Sequence, residues 1–312
     1  MSRRVPRALL FYNPAAPGVR RGLERKLEFL SAACKARPVL LDAIATGGPG
    51  DVLARADSVA GKRYDLLIAW GGDGTVNEVG NLASRLGLPL GILPGGTINL
   101  LARELGIPAR YEAAADLLFY GSRRAIKAGR AGDRLFFSVA GAGFDAAVCR
   151  WVPPLLKRWL GPLAYVVGGA RQLLTYPFPT VSVLCGNQGF TGTQMVIGAV
   201  PHYAGSLKLL PLADLDSPVL DLCVLRTDTR LGYLRFLGRL LIGRHTSWTE
   251  LVYYKGWNFS AMSADPVPVQ IDGEFCGMLP MRFEMVPEAL EVLAPSHGDA
   301  SRPGSPLAGT AD

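Results

Sequence analysis

Two glycine-rich turns, Trp70-Gly-Gly-Asp-Gly-Thr-Val-Asn77 and Gly91-Ile-Leu-Pro-Gly-Gly-Thr-Ile-Asn99, each follow directly on an apolar run. Glycine lets a backbone take positive φ and approach a ligand closely, and the N–H groups at a turn and a helix start suit phosphate oxygens. The chemistry on offer is nucleotide phosphate binding. Asp73 stands out there, because a carboxylate beside a phosphate repels it. It suits a metal ion, polarisation of a hydroxyl, or ordering of the loop. The spacing matches neither the dinucleotide fingerprint nor a Walker loop, which needs a lysine absent here. A glycine-rich strand-to-helix turn also arises for packing alone, and the second turn is what favours phosphate.

Further along, Asp272-Gly-Glu274 follows the apolar run Val267 to Ile271. Asp-Gly is a strong hairpin signal, and a tight turn can also project the Glu274 carboxylate into a cleft. Asp145, in Gly141-Ala-Gly-Phe-Asp-Ala146, reads either as a capped turn, a surface aspartate or a residue of a substrate pocket.

The elements that position these residues follow from the apolar pattern. Ala8–Tyr12, Val39–Ala43, Tyr64–Trp70 and the run before Pro94 read as strands, and leucines 23, 27 and 30 lie at helical spacing. Strands alternating with helices predict a parallel three-layer α/β domain over residues 1–125. Ligands of such sheets bind at the carboxyl ends of the strands. Asn13, Thr46, Gly71 to Asn77 and Thr97 all fall there, so four loops converge on one site, although Thr46 alone also reads as a helix cap. After Phe119 the runs become shorter: 135–139, 180–184, 195–200, 219–225 and 267–271 predict a mainly antiparallel second domain over 126–284. Helical stretches at 155–174 and 231–241 interrupt it. Residues from about 285 to 295 return to complete the first domain, and 296–312 is a Gly-, Pro- and Ser-rich tail expected to be disordered.

At 312 residues the chain has room for two cored domains. A formal charge of +7, from 33 Lys and Arg against 26 Asp and Glu, is scattered and reads as a solvated surface. It also favours a nucleotide or an anionic membrane surface, where each basic residue contributes about 1 kcal/mol. Nothing resembles a nucleic-acid module, and nucleic acid is excluded as a partner. Five single cysteines and three histidines without ligand spacing imply neither a disulfide framework nor a transition-metal site. No signal peptide is expected, and no run reaches the roughly 20 apolar residues of a spanning helix. Trp151, Trp159 and Tyr165 beside Lys157, Arg158 and Arg171 suit either core packing or a membrane-interface face.

Gly-Gly-Asp-Gly-Thr-x-Asn-Glu-Val at 71–79 and Pro-x-Gly-Thr-x-Asn-x-x-Ala-Arg at 94–103 together resemble the diacylglycerol kinase catalytic family, specifically its bacterial lipid kinases, relatives of sphingosine and ceramide kinases. Asn13-Pro14 with Gly18, Thr46 with Gly50, Gly141 to Ala146, Gly161 to Tyr165 and Asp272 to Glu274 extend the resemblance over most of the chain. It implies an NAD kinase/diacylglycerol kinase-like α/β domain with a β-sandwich second domain, and transfer of the γ-phosphate of ATP, with Mg2+, to a hydroxyl of diacylglycerol or a related lipid. On this reading Asn13, Thr46, Gly71, Gly72, Gly74, Thr75, Asn77, Thr97 and Asn99 bind the nucleotide. Glu274 is the proton acceptor, Asp73 the second catalytic carboxylate, and Asp145 and Asp272 lie on the substrate side. Asp216 and Asp221 hold a structural magnesium ion. The implied partners are a lipid substrate and the anionic inner face of the cytoplasmic membrane, contacted peripherally, with room left for a homodimer.

Three departures accompany the match. Leu100 stands where an aspartate often follows the asparagine, Lys127 replaces an acid in Ile126-Lys-Ala-Gly129, and Leu215-Asp-Ser-Pro-Val-Leu-Asp221 lacks the glycine of the magnesium turn. They open two other readings: a regulator of the same fold whose catalysis has lapsed, and an NAD kinase, which shares the Gly-Gly-Asp-Gly turn.

Overall fold

The computed structural model describes residues 5–153, 161, 163–205 and 207–296. Four parallel strands, β1 (Arg7–Tyr12), β2 (Leu40–Ala45), β3 (Leu66–Gly71) and β4 (Leu90–Pro94), lie in the order β2-β1-β3-β4. Their interiors are apolar because both faces are covered: Leu9, Leu10, Phe11, Leu67 and Trp70 are buried to at most 1% exposure. The covering helices are α1 (Pro17–Arg20), α2 (Leu23–Ala36), α3 (Asp51–Ala54), α4 (Ala56–Ala60), α5 (Asp73–Leu86), α6 (Leu100–Glu104) and α7 (Tyr111–Tyr120). Gly87 ends α5 in the left-handed conformation at φ 63°, the usual glycine stop.

The same sheet continues into the second half of the chain. The long closing strand β18 (Met281–Ala294) pairs in parallel with β4 through Val292 and Leu90, and antiparallel with β5 (Ser122–Ala131). β6 (Arg134–Phe136), β15 (Asn258–Met262), β8 (Val181–Cys185) and β9 (Gln188–Gly192) complete 10 strands. The two halves thus share strands rather than a linker, and position 125 lies inside β5.

Facing this sheet is a wholly antiparallel one of six strands, ordered β14 (Leu251–Gly256), β13 (Leu220–Leu225), β10 (Gln194–Gly198), β7 (Val139–Ala142), β16 (Pro268–Ile271) and β17 (Glu274–Met278). A separate hairpin pairs β11 (His202–Ala204) with β12 (Leu207–Lys208). Outside lie α8 (Phe144–Trp151), α9 (Leu163–Thr175) and α10 (Arg230–Leu241), over an aromatic cluster of Phe144, Tyr176, Phe178 and Tyr233. The expected run 135–139 divides into β6 and β7 at Phe137 and Ser138, whose N–H groups turn to the half-buried carboxylate of Asp272. Lys157, Arg158 and Trp159 lie outside the described residues, as does the tail from 297.

Candidate active site

The two glycine turns pack against each other backbone to backbone. Gly95 N–H donates to Gly71 O at 2.8 Å, and Gly18 N–H donates to Gly95 O at 2.9 Å. A Cβ on Gly96 would stand 2.5 Å from Gly72 Cα, and one on Gly71 would meet Thr75 Oγ1 at 2.5 Å. Gly72 is the cap of α5, so the turn delivers the first N–H groups of a 14-residue helix, which lack partners within the helix, to the carboxyl edge of the sheet. The positive end of that helix suits an anion. The arrangement is a backbone cradle that side chains would fill.

Asp73 couples the two turns. Its Oδ1 accepts from Leu100 N–H at 2.6 Å and its Oδ2 from Asn99 N–H at 3.1 Å, closing the start of α6 against the start of α5. Of the roles open to it in sequence, loop ordering is the one these contacts serve. Asn99, at φ 52°, folds its amide onto Gly96, accepting from its N–H and donating to its oxygen. Asn13 Oδ1 accepts from Ala15 N–H at 2.9 Å, and Thr46 N–H donates to Tyr12 O at 2.8 Å. Both therefore stand at adjacent strand ends beside the cradle, and Thr97 is exposed on the second turn. Asn77 differs from expectation as a nucleotide ligand. It is 2% exposed, and its Nδ2 donates to Leu135 O and to Asp272 Oδ2.

Asp272 also turns inward, contrary to a substrate contact. Its carboxylate accepts from Phe137, Ser138 and Val139 N–H at 2.9 to 3.0 Å and from Asn77 at 2.8 Å. Burial pushes the carboxyl up to about 6, while these four donors favour the charged form. Anchored by Asp272 (φ 47°) and Gly273 (φ 83°), the hairpin turn sends Glu274 across to α5, where a Cβ on Gly74 would collide with Glu274 Oε1. Glu274 thus stands over the first glycine turn.

Sequence reasoning missed three residues that hold this geometry. Arg134 Nη2 lies 3.4 Å from Glu274 Oε2 and 3.3 Å from Asn77 Oδ1. Gln270, 2% exposed on β16, accepts from Gly273 N–H at 2.8 Å and donates to Asp145 Oδ2 at 3.1 Å. Asp145 accepts a second bond from Tyr203 at 3.0 Å, and burial pushes its carboxyl up to about 6. It therefore lies behind the Glu274 turn and braces it. Glu78, buried on α5, accepts from Gly50 and Val52 N–H at 2.6 and 3.2 Å, fixing the loop that follows Thr46. Only Glu78 carried a signal, as the Glu of the first motif.

The expected magnesium ligands sit elsewhere, Asp216 in loop 209–219 and Asp221 at the start of β13, and are matched with cations. Arg124 Nη2 reaches both Asp216 oxygens at 2.8 and 2.9 Å, and Lys255 Nζ lies 3.4 Å from Asp221 Oδ1. Lys127, 5% exposed, donates to Val219 O. Among the described residues no three His, Cys, Asp or Glu side chains gather as metal ligands. The groups present do not suit a structural divalent ion, which needs six or more converging oxygens. Leu100 is buried, so the residue at that departure packs into the core.

Family models match both halves: the diacylglycerol kinase catalytic domain over residues 7–131, and the YegS C-terminal NAD kinase beta sandwich-like domain over 138–294. A diacylglycerol kinase of Staphylococcus aureus strain bovine RF122 / ET3-1 is 31% identical over 299 residues, 93% of each chain. One from Staphylococcus epidermidis strain ATCC 12228 / FDA PCI 1200 is 31% identical over 259 residues, 81% of each. The fold matches a solved structure of a diacylglycerol kinase from Bacillus anthracis with a TM-score of 0.72 at 23% identity, covering 94% of this chain and 98% of that one. With its glycine cradle at the sheet edge and matches spanning both halves, the chain belongs to the diacylglycerol kinase catalytic domain family.

Proposed function

We propose that this chain is a lipid kinase that transfers the γ-phosphate of ATP, presented as its magnesium complex, to the hydroxyl of diacylglycerol or a related lipid. The observation that carries the reading is Glu274 standing over Gly74, at the first turn of α5. The hydroxyl oxygen bonds to the γ-phosphorus, its proton passes to the Glu274 carboxylate, and the bond to the β–γ bridging oxygen breaks to release ADP. Phosphoryl transfer depends mainly on positioning and charge neutralisation. The glycine turns, Thr75, Thr97 and the loops of Asn13 and Thr46 cradle the phosphates, Mg2+ offsets their charge, and Asp73 holds the two turns in register. Arg134 keeps Glu274 aimed and adds positive charge beside the reacting phosphate.

A bilayer substrate calls for a docking face. Support comes from α9 and α10, whose exposed apolar residues include Leu163, Val166, Leu174, Leu231, Leu234 and Leu241, each more than half exposed. Arg230 ties the pair by donating to Leu173 and Leu174 oxygens at 3.0 Å. Apolar side chains with flanking arginines suit the interface of an anionic membrane. No described helix is long and apolar enough to cross one.

Mass spectrometry of products from a lipid panel incubated with ATP and Mg2+ tests activity and acceptor together. A phosphorylated glycerolipid supports the proposal. Phosphorylated NAD, or no product from any lipid, contradicts it.

A further inference from the structure

Loop 209–219 and the start of β13 bring Asp214, Asp216 and Asp221 against β5. Asp221 is 5% exposed and its Oδ2 is buried without a hydrogen-bond partner. Asp214 Oδ1 accepts from Asp216 N–H at 3.0 Å, fixing the bend of the loop. Asp214 and Asp216 are exposed, but Asp221 without a cation beside it would be a buried, uncompensated carboxylate, which is strongly destabilising.

The chain itself supplies the compensation. The Lys127 ammonium comes up from β5 into the loop, donates to the carbonyl of Val219 and feels the charges of Asp221, Asp214 and Asp216. Carbonyl and carboxylate oxygens are the ligand type a hard cation takes, but among the described residues too few of them converge here to hold one. Arg124 from the same strand and Lys255 from β14 close the cluster at Asp216 and Asp221.

We propose that Lys127 is an internal cation that takes the place of a divalent ion under this loop, so that the packing of loop 209–219 on β5 is independent of metal. Any Mg2+ requirement of the protein then belongs to the nucleotide. The inference concerns the fold and stands apart from the kinase reading.

The test is thermal unfolding of the full chain, without nucleotide, in EDTA and in millimolar Mg2+. The wild-type Tm is expected to be the same in both. Lys127→Asp, which puts a carboxylate among the other three, is expected to unfold lower in EDTA and to recover by roughly 4 °C or more in Mg2+. Should that variant not fold, Asp221→Asn is the second arm, expected to lower Tm equally in both media. A wild-type Tm that rises with Mg2+, with the rise removed by Asp221→Asn, overturns the proposal. So does a Lys127→Asp variant that folds and gains nothing from Mg2+. Neither arm reads phosphoryl transfer, so failure here leaves the kinase reading intact.

Discussion

The side-chain amide of Asn77 donates to Asp272 Oδ2 at 2.8 Å, joining residues 195 positions apart. One stands on the helix whose first turn adjoins the two glycine turns, the other on the turn that carries Glu274. The bond makes cradle and base one unit, so the distance between them is set by buried contacts rather than by loop conformation. Asn77→Ala removes one of four donors from a half-buried carboxylate and is expected to cost roughly 2 kcal/mol. Urea unfolding checks the stability. Turnover per folded molecule should fall as well, through misplacement of Glu274.

Gly96→Ala should impair the nucleotide side, because its Cβ would stand 2.5 Å from Gly72 Cα and force the turns apart. Asp73→Asn should do the same more mildly, since one amide oxygen can serve only part of the two N–H groups now held. Equilibrium ATP binding is the readout. Unchanged affinity in both would mean that the turns are structural alone.

Arg134→Gln is expected to lower kcat about 10-fold or more while changing ATP affinity little, and Arg134→Lys to recover part of the loss, because charge near Glu274 is restored without the fork. A purely structural arginine would lower Tm and leave the kcat of the folded fraction intact.

Activity should decline as pH falls through about 6, where Asp272 and Asp145 take up protons. A protonated Asp272 loses acceptor strength towards its four donors and loosens the Glu274 turn. The sign for stability is opposite: both carboxyls titrate higher in the folded chain than in the unfolded one, so their contribution to stability grows as pH falls through that range. The acid limb of kcat/KM should therefore appear without a fall in Tm from these groups.

The pair of glycine turns was legible in the sequence because each is local. Strand, glycine turn and helix follow one another within each motif, and the alternation alone sets Asn13, Thr46 and Gly71 at one edge. The surroundings of Glu274 were not. Asn77, Arg134 and Gln270 act through partners brought together by the tertiary fold, and no local pattern distinguishes a glutamine on a buried strand. Asp272 matched a hairpin signal, but its four donors lie 133 or more positions away. Edge strand β9 also escaped notice, since Gln188 and Gly189 are exposed and break the apolar pattern.

On the membrane side, Leu234→Gln with Leu241→Gln should reduce binding to anionic vesicles and activity on vesicle-borne lipid, sparing a short-chain, water-soluble analogue. Recruitment should weaken with salt, because charges are screened beyond about 8 Å at physiological ionic strength. Equal binding to neutral vesicles, insensitive to salt and to both substitutions, would remove the docking face.

The central claim is that Glu274 accepts the proton of a lipid hydroxyl as the γ-phosphate of ATP transfers. Transfer of radiolabelled γ-phosphate to diacylglycerol in mixed micelles, with ATP binding measured on the same preparations, tests it most directly. Glu274→Gln should lower kcat by about 10²–10⁴-fold with ATP affinity nearly unchanged. Near-normal transfer by the folded variant would contradict the assignment of the base, and no transfer by the wild type to any lipid hydroxyl would contradict the kinase itself.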